Sequence, residues 1–146
     1  MTDADETANQ MARACADKMW AQDQASQQLG MQIDQIAPGF ARLSMTIRPE
    51  MTNGLDIAHG GLIFTLADST FAFACNTYNQ FVVAQSCTIN FISSARGGDR
   101  LTATAVERNR SGRSGIYDVT VTNQNDEVVA EFRGNSRTIK GQHLSS

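Results

Sequence analysis

The 146-residue sequence predicts an α+β domain in which a strongly curved antiparallel sheet wraps around one central helix. Three observations lead there. The segment from Gly60 to about Asn76 is apolar almost all round, as a helix enclosed by protein must be. Strand-like alternation fills most of the remaining chain. Only one other helical pattern exists, near the N-terminus, so a bent sheet is what remains to cover the central helix. The rival arrangement is an open sheet with both helices on one face.

From Thr7 to about Gln22, Ala8, Met11, Ala12, Cys15 and Met19 recur at helical spacing opposite Gln10, Arg13 and Asp17, which predicts an amphipathic helix. After a Gln-rich stretch, Leu29, Met31 and Ile33 alternate. Pro38-Gly39 marks a turn, and Ala41, Leu43, Met45 and Ile47 alternate against Arg42, Ser44 and Thr46, giving an antiparallel hairpin with one wet face. Pro49 to Gly61 has Pro, Asn-Gly and Gly-Gly and no period, so it is a loop. Strand patterns follow over Phe81–Phe91, with Phe81, Val83, Cys87, Ile89 and Phe91 on one face, then Asp99–Arg108, Ile116–Asn123 and Val128–Ile139. Residues 1–27 read as a helical extension, 28–141 as the domain and 142–146 as a polar tail.

One domain fits this length. The 12 Lys+Arg against 15 Asp+Glu give a net charge of −3, which argues against nucleic acid or anionic membrane as the main partner. No apolar run approaches the ~18–20 residues of a membrane helix, and the start, Met1-Thr2-Asp3-Ala4-Asp5-Glu6, is acidic where a secretory signal is basic. A cytoplasmic protein is the expectation. Cys15, Cys75 and Cys87 lack metal or disulfide spacing and read as reduced core thiols, and with only His59 and His143 no multi-histidine metal site can be assembled.

Asp68 interrupts the apolar helix with a carboxylate, which is costly to bury unless paired or used; a catalytic acid and a structural hydrogen-bonded acid each explain it. His59-Gly60-Gly61 sits where the loop meets the helix. Unpaired N–H groups and the dipole there favour an oxyanion or polarised carbonyl, although for an isolated Gly-Gly a tight loop-to-helix junction is the better explanation. Asn53 suits either a hydrogen bond to an acyl group or water, or turn chemistry with Gly54. His59 orients the loop or the substrate, and lacks an acidic neighbour that would mark it as a base.

Spacing then constrains the assembly. Asp68 lies eight residues past Gly60, about 12 Å along a helix at ~1.5 Å per residue, too far for both to touch one carbon. Two copies with antiparallel central helices would bring the Gly60 end of one to Asp68 of the other, so a homo-oligomer is expected. Arg108, Arg110 and Arg113 form a basic loop suited to phosphates by forked hydrogen bonds, or simply to solvent.

The run Asn53-Gly54 … His59-Gly60-Gly61-Leu62-Ile63-Phe64-Thr65-Leu66-Ala67-Asp68, continued by Cys87-Thr88-Ile89-Asn90-Phe91, Gly98-Asp99-Arg100 and Phe132-Arg133-Gly134-Asn135-Ser136, resembles the hotdog-fold acyl-CoA thioesterases, and among them the phenylacetic acid degradation (PaaI-type) enzymes. The resemblance implies hydrolysis of an aryl- or acyl-CoA, such as phenylacetyl- or hydroxyphenylacetyl-CoA, by hotdog dimers commonly paired into tetramers. By matching positions it implies Asp68 as catalytic acid, Gly60 as backbone donor and Asn53 as the loop amide. His59, Gly61, Phe64, Phe81, Arg110 and Arg113 are the expected substrate contacts. Coenzyme A belongs to the substrate, and no cofactor or metal is expected. Ser93-Ser94-Ala95-Arg96 departs from the Arg-Pro that relatives often carry, a difference that bears on coenzyme docking. The alternatives are a hotdog acyl dehydratase or hydratase, which needs a His–Asp pair, and a non-catalytic acyl-CoA binder, which gains little from a buried carboxylate.

Overall fold

The computed structural model describes residues 2–145. Helix α1 spans Asp3–Trp20 and α2 spans Gln24–Gln28; β1 (Gln32–Ala37) and β2 (Phe40–Thr46) follow, then a single 3-10 turn, Pro49–Met51. The central helix α3 is Gly60–Cys75, and β3 (Phe81–Phe91), β4 (Arg100–Ser111), β5 (Ser114–Thr122) and β6 (Val128–Ile139) complete the chain. The six strands form one antiparallel sheet in the order β1-β2-β4-β5-β6-β3, which leaves β1 and β3 as edges. Among the described residues no helix is long and apolar enough to cross a membrane.

The sheet curls around α3, which touches all six strands. Leu66, Ala67, Phe71, Phe73 and Ala74 of α3 are buried against Leu43 and Met45 of β2, Leu101 and Ala103 of β4, Val119 and Val121 of β5 and Phe132 of β6. Phe71 packs between Tyr117 and Phe132, with ring centroids 5.7 and 5.8 Å away. Apolar burial overrides the modest helix propensity of so aromatic a segment. The wrap is incomplete. Gly61 is exposed and Thr65, Asp68, Ser69 and Ala72 are half-buried, a stripe of small or polar residues at helical spacing that the sheet does not cover.

Four expectations change. Helix α1 begins at Asp3 because Thr2 and Asp5 form a capping box: the Thr2 hydroxyl accepts from the Asp5 N–H, and the Asp5 carboxylate accepts from the Thr2 N–H, each at 3.1 Å. The Gln-rich stretch holds α2, capped by Asp23, so Leu29 ends a helix and β1 starts only at Gln32. A bulge between Ala84 and Ser86 shifts the phase of β3, so that Val82 points inward with Cys87 and Ile89 while Phe81 and Val83 are exposed. The tail is held down: Phe81 N–H donates to Gly141 O, Leu144 N–H to Asn79 Oδ1, and the His143 ring lies edge-on to Phe81 with its Nε2 2.7 Å from Asn76 Oδ1.

Candidate active site

The N-terminus of α3 is built so that one donor remains free. His59 is the N-cap, and its Nδ1 accepts the Gly61 N–H at 3.0 Å. The N–H groups of Leu62 and Ile63 donate to His59 O at 3.0 and 3.3 Å. Of the first four N–H groups of the helix, only that of Gly60 has no acceptor among the described residues. With Nδ1 accepting, the neutral imidazole carries its hydrogen on Nε2.

Close approach explains both glycines. A Cβ on Gly61 would lie 3.1 Å from His59 Nδ1, because the imidazole sits across it; a Cβ on Gly60 would lie 3.1 Å from the edge of the Phe91 ring. Gly60 opens on a cavity of about 280 Å³ lined by Ile57, Ala58, Ile63, Phe91, Ile92 and Ser93. Sequence reasoning placed Phe91 only in a strand. Its part at this mouth comes from β3 ending beside the helix start, which alternation cannot reveal.

Asn53 shapes the loop before the helix. Its Oδ1 accepts from Leu55 N–H at 2.9 Å and Ile57 N–H at 3.3 Å, while its backbone N–H donates to Ile57 O. The carbonyl end is thus committed to the turn, and the Nδ2 amide is the end left for a ligand.

Asp68 sits on the uncovered stripe of α3. Burial raises its carboxyl above the ordinary range, and no hydrogen bond or cation among the described residues counters that. Its charge in turn helps raise the thiols of Cys75 and Cys87, the latter facing inward from β3. One residue along, Ser69 Oγ lies 2.9 Å from Ser26 Oγ of α2, and the Ser26 hydroxyl donates to Asp23 at 2.7 Å. The acid therefore has no hydrogen-bond or ion-pair partner among the described residues of its own chain.

The remaining expected contacts are dispersed. Phe64 is half-buried and packs edge-on against Phe132 at 5.5 Å. Phe81 is at the far end of β3 from Phe91, beside the tail. The arginine segment is mainly strand, with the turn confined to Gly112-Arg113. Arg108 pairs with Asp118 at 2.9 Å, and Arg110 stacks 3.5 Å above the Tyr78 ring and lies 3.8 Å from Glu107. Arg113 has no ion-pair partner among the described residues and shares a cavity of about 340 Å³ with Lys140. Among the described residues no His, Cys, Asp or Glu cluster could hold a metal ion.

A curled antiparallel sheet around one central helix is the hotdog fold, here with a free amide at the helix start and an acid unpartnered among the described residues within the same helix. Residues 55–130 match the Thioesterase superfamily. The chain is 42% identical to the acyl-coenzyme A thioesterase PaaI of Escherichia coli (strain K12) over 126 residues, 86% of this chain and 90% of that protein. The structure of the E. coli PaaI protein from the phenylacetic acid degradation operon superposes with a TM-score of 0.91 at 40% identity, covering 92% of this chain and 97% of that one. A mutant of the phenylacetic acid degradation protein PaaI from Thermus thermophilus gives 0.77 at 35% identity, covering 80% of this chain and all of that one. The chain belongs to the thioesterase superfamily and is a thioester hydrolase. Within the superfamily it falls with the PaaI-type enzymes.

Proposed function

We propose that this enzyme hydrolyses an aryl- or acyl-CoA, of the phenylacetyl or hydroxyphenylacetyl type, in the cytoplasm and at a site shared by two protomers, the dimers pairing further into tetramers. The observation that carries the reading is the split between the free Gly60 N–H and the unpartnered Asp68 carboxylate, about 12 Å apart along one helix at ~1.5 Å per residue. Each needs what the other has. A second copy with α3 antiparallel supplies it, and the small residues of the uncovered stripe allow two such helices to approach closely. The exposed edge strand β3, with Val83 and Phe91 outward, can pair with its twin.

In this reading the thioester carbonyl oxygen accepts from the Gly60 N–H of one protomer. Asp68 of the other takes a proton from water as the water oxygen bonds to the carbonyl carbon. The oxyanion is held by Gly60 and the helix dipole. As the carbonyl reforms, the C–S bond breaks, the coenzyme leaves as its thiol with that proton, and the free acid remains. Direct attack by Asp68 to give an anhydride is distinguished by single turnover in ¹⁸O-water, since only that route leaves label in the carboxyl of Asp68. Asn53 Nδ2 and His59 Nε2 are donors for substrate or water, and Phe64 and Phe81 suit an aromatic acyl group. Arg113, with Lys140, is better placed for coenzyme phosphates than Arg110, whose guanidinium is engaged with Tyr78.

Heterodimers of Asp68→Ala and Asn53→Ala subunits test the shared site. Mixing two inactive variants restores activity at one site per dimer if the reading is right, and restores none if each protomer works alone. Thiol release from phenylacetyl-, hydroxyphenylacetyl-, benzoyl- and straight-chain CoAs then ranks the acyl group.

A further inference from the structure

Leu55 is 75% exposed, far more than any other large apolar side chain among the described residues, at the tip of the loop that carries Asn53. A leucine held out by an ordered turn is available to a facing apolar surface. The same protomer contains a cavity of about 430 Å³ lined by Lys18, Met19, Gln22, Asp23, Phe81 and His143. That cavity lies beside the second half of α3. Asp23 is linked through Ser26 to Ser69, and His143 is bonded to Asn76.

Antiparallel α3 helices bring these features together. With Gly60 of one protomer at Asp68 of the other, the loop preceding Gly60 would lie on the side of partner residues 69–76, and its tip would approach the cavity. Charge agrees with this docking: Asp56, beside Leu55, and Lys18, on the rim, each lack an ion-pair partner among the described residues. We propose that Leu55 of each protomer seats in the partner's cavity between the α1–α2 elbow and Phe81, with Asp56 facing Lys18, and that this contact positions Asn53 and Gly60 against the partner's Asp68.

The proposal rests on the shared-site reading and adds a role for the N-terminal helices. Here the elbow is pinned to Ser69 and forms one wall of the receiving cavity, which makes it part of the clamp that holds the neighbouring catalytic loop. Leu55 is a positioning residue, since it touches neither substrate nor reacting atoms.

The test is a cysteine pair. In a Cys87→Ser background, oxidised Leu55→Cys/Met19→Cys protein should run as a covalent dimer that neither single variant forms, since the remaining Cys15 and Cys75 are buried. Leu55→Asp should weaken the dimer and lower kcat roughly tenfold, more than it raises KM. Asp56→Lys should weaken it too, and Lys18→Asp added to Asp56→Lys should restore both dimer and rate. Absence of the cross-link in a double variant that is dimeric by ultracentrifugation overturns the docking. So does a Leu55→Asp protein with unchanged kcat and dimer affinity. The site reading has its own control: Asp68→Asn must be inactive, so loss of the cross-link with Asp68 still essential discards the docking alone.

Discussion

The His59 imidazole lies across Gly61 and accepts its N–H at 3.0 Å, so the cap selects which amide of the α3 N-terminus stays available. Removing the acceptor frees a second N–H beside Gly60 and loosens the turn that aims both. His59→Asn retains a capping oxygen and should keep kcat within a few-fold. His59→Ala should lower kcat by about tenfold or more and cost about 1 kcal/mol of stability. Steady-state thiol release with a parallel urea titration separates the two effects. Gly61→Ala, which displaces the ring, should resemble His59→Ala.

Asp68 carries a stability cost that follows from its raised carboxyl. The folded state binds that proton more readily than the unfolded chain, so ionisation above the folded pKa weakens folding, and lowering the pH relieves it. Asp68→Asn should melt at the same or a higher temperature than the parent at pH 7, with the difference closing as the pH falls towards ~4, the ordinary carboxylate range. Its turnover should fall by ~10² or more. Melting curves across pH, set beside the rate, give both results.

The thiols report on the same charge. Burial pushes Cys75 up to about 12, and burial followed by the nearby Asp68 charge raises Cys87. In native protein, labelling with a thiol reagent should reach half-buried Cys87 slowly and leave Cys15 and Cys75 unmodified until unfolding. Asp68→Asn should speed the labelling of Cys87. An unchanged rate would mean that Asp68 is uncharged or turned away.

Asn76 ties the end of α3 to β3. Its Nδ2 donates to Ala72 O and Val82 O, and its Oδ1 accepts from Val82 N–H and lies 2.7 Å from His143 Nε2. Asn76→Ala orphans both Val82 backbone groups and should cost about 3 kcal/mol. Ending the chain at Gly141 removes the His143 and Leu144 bonds and the Phe81 ring contact but leaves both Val82 groups partnered, and should cost less in the same urea titration.

The sequence is informative where burial enforces a period. The extents of β3 and β6 follow the apolar pattern even though Phe81, Phe91 and Ile139 at their ends are exposed, and the start of α3 is legible at the glycines that precede its apolar run. Helix α2 is polar and owes its turn to the Asp23 cap, so no period betrays it, and the β3 bulge inverts Phe81 and Val83 without changing their composition. In the site, the motif identifies His59, Gly60 and Asp68 as residues of interest. Two facts required coordinates: that His59 consumes the Gly61 amide, and that Asp68 has no partner among the described residues. Arg110 illustrates the limit, since its stacking on Tyr78 joins residues 32 positions apart.

Asn53 spends its only acceptor on the Leu55 and Ile57 amides. Asn53 Nδ2, His59 Nε2 and Gly60 N–H are each donors. By consuming its own acceptor, the turn biases this loop towards partners that bring lone pairs.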